Sequence, residues 1–103
     1  MKIHQVLGNV TLSRCHAGYV GARLLATVSL DAELLGEAAN PDADLVVVWD
    51  ELGAGKGAKI AVSDGAEAAQ PFRPELKAVD AYCSAILDVI HLDPAAMKQL
   101  KLK

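Results

Sequence analysis

Residues 46–65 read VVVWDELGAGKGAKIAVSDG: a β-branched run, three glycines within five positions around Lys56, and a second β-branched run. Two folds compete for such a stretch. A glycine-rich turn that opens a helix cradles phosphate in an α/β fold, because the first amides of the helix meet the anion. A glycine-rich connection between two strands belongs to an all-β fold. The phosphate-loop pattern G-x-x-x-x-G-K-[ST] fails at both ends, with Asp50 where its first glycine belongs and Gly57 where its hydroxyl belongs. The dinucleotide pattern G-x-G-x-x-[GA] fits Gly53, Gly55 and Ala58, but KIAVSD (59–64) follows at once and meets Gly65 with no room for the helix that chemistry needs. The stretch therefore reads as two strands and their connection, ELGAGKGA. Its glycines supply backbone shape, since glycine reaches positive φ without the roughly 1–2 kcal/mol that a side chain adds.

Working outward, KIHQVLGNVTL (2–12), RLLATVSLD (23–31) and AILDVIHLD (85–93) join DLVVVWD (44–50) and KIAVSD (59–64) as five strands rich in Val, Ile and Leu. Gly8 inside the first predicts a bulge or a sharp bend of the sheet. GAEAAQPFRPEL (65–76) admits one short helix, which Pro71 and Pro74 end quickly, and KAVDAYCSA (77–85) leads into the last strand with room for one helical turn. PAAMKQLKLK (94–103) opens with proline at a first helical position and reads as a short terminal helix or a frayed tail. The fold class is all-β. Five short strands with a small helix before the last fit an OB-like barrel better than a seven-stranded sandwich, and an SH3-like barrel satisfies the same spacing. The domain is drawn at 1–93, with a tail at 94–103.

A chain of 103 residues holds one domain and one core. Its formal charge of −3, with no block of like charge, argues against nucleic acid and membrane surfaces as partners. No apolar run is long enough to cross a bilayer and the first twelve residues lack the core of a secretory signal, so the expected location is cytoplasmic. An OB barrel that binds single strands needs stacking aromatics on a basic groove. Tyr19, Trp49, Phe72 and Tyr82 are the whole aromatic supply.

Candidate chemistry is sparse. Cys15 and Cys83 lie too far apart in sequence for a metal knuckle and read as free thiols; Cys15 and His16, being adjacent, point to opposite faces of an extended chain and make a poor ligand pair. His4 and His91 stand alone in strand-like segments. Asp50, Glu51, Asp64 and Glu67 could form carboxylate pairs, but around a turn such residues are usually solvated. No nucleophile, base and orienter fall together, so no catalytic residue, cofactor or metal is assigned.

In order and spacing, MKIHQVLGNVTLSR, YVGARLLATVSLD, WDELGAGKGAKIAVSDG and AVDAYCSAILDVIHLD resemble the EutN/CcmL family of pentameric vertex proteins of bacterial microcompartments, over residues 1 to about 93. The most specific parts are KIHQVLGNV, GARLL and the D-x-L-G-A-G-x-G loop. The stretch 66–85 and the tail depart from the pattern. The resemblance implies an OB-like barrel assembled as a cyclic homopentamer, with no enzymatic activity, that plugs the five-fold corners of a shell beside hexameric or trimeric shell proteins. It also implies that Gly53, Gly55, Lys56 and Gly57 form a structural loop near the five-fold axis. The alternatives are an OB-fold module for single-stranded nucleic acid or a small ligand, and a small nucleotide-dependent enzyme.

Overall fold

Residues 1–38 and 43–101 are described by the computed structural model of the chain, and they include five strands, four of them where expected. These are β1 (Lys2–Val10), β2 (Leu24–Ser29), β3 (Val46–Trp49), β4 (Lys59–Asp64) and β5 (Ala81–Ile86), closed into a barrel in the order β1-β2-β3-β5-β4. Neighbours run antiparallel except β3 and β5, which are parallel and share one pairing, Trp49 with Tyr82. Helical pieces among the described residues are 3-10 turns at Ala17–Tyr19 and Gly65–Phe72, α1 (Asp31–Leu34) and α2 (Pro94–Lys101).

Gly8 marks a bulge. Val6 pairs with Thr27 but Gly8 with Ala26, so Leu7 is the extra residue. A one-residue insertion turns the following side chains to the other face of the sheet. Val6 accordingly lies inside the barrel with Leu25, Val48, Ile60, Val62, Ala81 and Cys83, whereas Val10 joins a second cluster outside it, built on Leu24, Trp49, Ala68 and Val79. The Gly65–Phe72 turn covers that outer cluster, placing Phe72 edge-on between Trp49 (centroids 5.0 Å apart) and Tyr82 (5.5 Å). The unbroken apolar runs LL and VVVW follow from this arrangement, since strands packed on both faces lose the alternation of a one-sided sheet. The barrel interior also holds one polar pair. Thr27 donates its hydroxyl to the Val46 carbonyl (2.9 Å), which leaves its oxygen to accept from the Nδ1–H of buried His4 at 3.0 Å. Burial lowers the pKa of His4, the field of Lys2 adding to this and those of Asp31 and Asp64 opposing it.

The fifth strand is displaced from its expected place. It lies at 81–86, not 85–93, pairing Tyr82, Cys83, Ala85 and Ile86 with β4. Its small inward residues, Ala81 and Cys83, fit the crowded interior. The more apolar run after it leaves the barrel: Leu87 N–H donates to the Lys59 carbonyl (2.8 Å), the chain bends at Asp88, and no regular structure follows until α2. Pro71 does not stop the helix before it, because the turn there is 3-10 and carries through to Phe72. His91 consequently lies outside any strand.

Candidate functional site

The connection between β3 and β4 is irregular but closely held. Asp50, only 1% exposed, stands at its root. Its carboxylate accepts from the N–H groups of Leu52 (2.9 Å), Gly53 (3.1 Å) and Ala54 (2.8 Å) and pairs with the Arg23 guanidinium, which also donates to the Ala54 carbonyl at 2.9 Å. Sequence reasoning placed Asp50 among solvated carboxylates; burial corrects this, because three amides and a guanidinium replace its water. Ala54 is driven into the barrel core. At the far end, Gly57 N–H donates to the Val6 carbonyl (2.8 Å) and Val6 N–H to the Ala58 carbonyl (2.9 Å), tying the connection to β1.

Within this frame, Gly53 (φ 86°) and Gly57 (φ 87°) occupy the left-handed region that a Cβ disfavours. Gly55 does not, and a Cβ there would meet nothing within 4 Å. Positive φ at Gly55, considered from sequence alone, is therefore excluded, and no contact within the chain demands glycine at that position. Gly53, Gly55, Lys56 and Gly57 are all exposed, and Lys56 forms no ion pair among the described residues. The residues that hold the connection, Arg23 and Asp50, were missed as a pair. The signal lay in the aspartate that precedes ELGAG, a residue type whose side chain bonds the amides just after it.

The other candidates are dispersed. Asp64 forms an exposed ion pair with Lys2 (3.4 Å), Glu67 is exposed, and Glu51 accepts from the Tyr82 hydroxyl at 3.3 Å; burial and then the charge of Glu51 raise the Tyr82 pKa. Cys15 is exposed, while His16 accepts from Gly18 N–H (3.0 Å) to cap the Ala17–Tyr19 turn. Among the described residues, no three His, Cys, Asp or Glu side chains converge as metal ligands. Burial pushes the Cys83 thiol up to about 11, so it is inert in the folded barrel. Trp49, Phe72 and Tyr82 are packed on one another rather than displayed, which leaves Tyr19 as the exposed aromatic. No helix among the described residues is long and apolar enough to cross a membrane.

Residues 1–88 match the family described as ethanolamine utilisation protein EutN/carboxysome. The chain is 32% identical over 90 residues to the bacterial microcompartment shell vertex protein EutN of Salmonella typhimurium, spanning 87% of this chain and 86% of that protein. Among solved structures, GrpN, a pentameric microcompartment shell protein from Rhodospirillum rubrum, superposes with a TM-score of 0.74 at 29% identity, covering 90% of this chain and 100% of that one. CcmL of Gloeobacter violaceus gives 0.72 at 30% identity, covering 90% and 91%.

Proposed function

The chain belongs to the EutN/CcmL family, and on that premise we propose that five copies of it close a ring that caps a five-fold vertex of a bacterial microcompartment shell. The role is structural, not enzymatic. Its partners are further copies of itself and, around the ring, hexameric or trimeric shell proteins, in the cytoplasm. One physical observation supports assembly above the rest. The protomer exposes 7186 Å² of surface, whereas a compact monomer of 10.8 kDa exposes about 5,500 Å². Leu45, Val20, Leu52 and Val89 are each more than half exposed, so the surface beyond a compact monomer's includes apolar side chains available to subunit contacts.

The exposed rim of the β3–β4 connection suits a position close to the five-fold axis. Glycine at 55 has no intrachain reason, so its use is to let another copy's backbone come near. Native mass spectrometry tests the proposal: a homopentamer at micromolar concentration is expected, and a clean monomer or dimer overturns it. A titration with labelled single-stranded oligonucleotides at low salt is expected to leave fluorescence anisotropy flat.

A further inference from the structure

Residues 88–92, DVIHL, have the composition of a strand and none of its pairing. Among the described residues, no backbone hydrogen bond involves them, no residue from Ile86 to Leu100 is buried, and Val89 is 80% exposed. A complementary gap exists elsewhere in the barrel. Asp50 N–H donates to the Arg23 carbonyl (2.9 Å), so alternate residues back along β3, Val48 and Val46, turn their peptide groups toward β2, and Val47 and Leu45 turn theirs toward β5. There β5 does not reach them, because Trp49 with Tyr82 is the sole pairing between the two strands. The result is an open groove of about 830 Å³ lined by Asp44–Val47, Asp64, Gly65, Asp80 and Ala81.

Resting on the pentameric reading above, we propose that residues 88–92 of one copy add as a strand to the Leu45–Val47 edge, left unpaired by β5, of the next copy in the ring. Three features support this pairing. Unpaired strand edges recruit strands through main-chain hydrogen bonds. Charge is offset downstream: the groove carries Asp44, Asp64 (already reached by Lys2) and Asp80 and the segment adds Asp88 and Asp93, but the chain that follows carries Lys98, Lys101 and Lys103 with no acid. The ends are also correctly placed, because the groove lies at the start of β5 and the segment leaves from its far end, about 20 Å away at strand rise. Donor and acceptor on different ends of one protomer make a head-to-tail contact, the kind that closes into a ring.

The test places a benzophenone side chain at Val89 of the full chain and irradiates a mixture of ¹⁴N and ¹⁵N protein. Cross-links between isotopically distinct copies to residues 44–47, 64–65 or 80–81 are expected. A pentamer whose probe reaches other surfaces, or only its own chain, overturns the strand exchange and leaves the vertex reading intact; absence of any pentamer overturns both. Ile90→Pro, which removes an N–H donor from a segment that makes no backbone hydrogen bond among the described residues of its own protomer, is expected to weaken assembly at least tenfold at nearly unchanged monomer melting. A variant that assembles like the parent refutes the proposal.

Discussion

The β3–β4 connection and the segment 88–92 stand at opposite extremes of self-sufficiency. The connection has no regular structure, yet Asp50 takes up three of its amides, Arg23 a carbonyl, and Ala54 is a core residue. The segment is rich in β-formers and satisfies no backbone group among the described residues. What separates them is where the partners lie. A protomer built for assembly completes its most irregular element by itself and leaves a regular-looking one incomplete, because a strand is the simplest element for a second molecule to complete.

The contrast breaks most visibly at Asp50. Asp50→Ala strips three amides of their acceptor and leaves Arg23 unpaired, so a loss of about 3 kcal/mol is expected in urea unfolding; a loss below about 1 kcal/mol means the connection is not held as described. Next come the glycines. Gly57→Val forces a side chain into positive φ and is expected to cost roughly 1–2 kcal/mol in the protomer. Gly55→Val has no such strain and is expected to leave the protomer's melting unchanged while weakening the pentamer in size-exclusion light scattering. If the two variants behave alike, the distinction between intrachain and interchain glycines fails.

The barrel interior supplies a smaller effect. His4 has a folded pKa below its unfolded value near 6.5, so the unfolded chain binds the extra proton first. Stability is then expected to be level above about pH 7, to fall as pH drops through 6.5, and to level again below the folded pKa; His4→Gln should flatten that slope in chemical denaturation. Least of all is expected from Lys56→Ala, which should leave melting and oligomeric state unchanged, and calorimetry with ATP or NAD should register no heat of binding that the lysine controls.

Much of the barrel could be read from the residues because the two signals that define it are local. The β-branched runs at 2–10, 24–29, 46–49 and 59–64 fall inside the expected strands, and Gly8 announced its bulge. The last strand was placed too late because β-propensity measures fitness for a pleated surface, not the presence of a neighbour. AYCSAI looks weak and has β4 beside it; DVIHL looks strong and has no strand partner among the described residues. The same limit hid the site's support. The glycines of GAGKG are conspicuous in one dimension, but Arg23 and Asp50 lie 27 residues apart and become a pair only when β2 and β3 align.

Strand order also fixes a sequence of events in time. β1 pairs with β4, Lys2 opposite Val62, so during synthesis the first strand emitted waits for some sixty residues before its second edge is occupied, a long-range closure of the kind that slows folding. The barrel cannot shut until β4 and β5 have both emerged, and residues 88–92 come later still. A nascent chain therefore holds no donor strand until all five strands of its own barrel have emerged, and the one edge that β5 then leaves unpaired, at Leu45–Val47, lies at the opposite end of β5 from the segment.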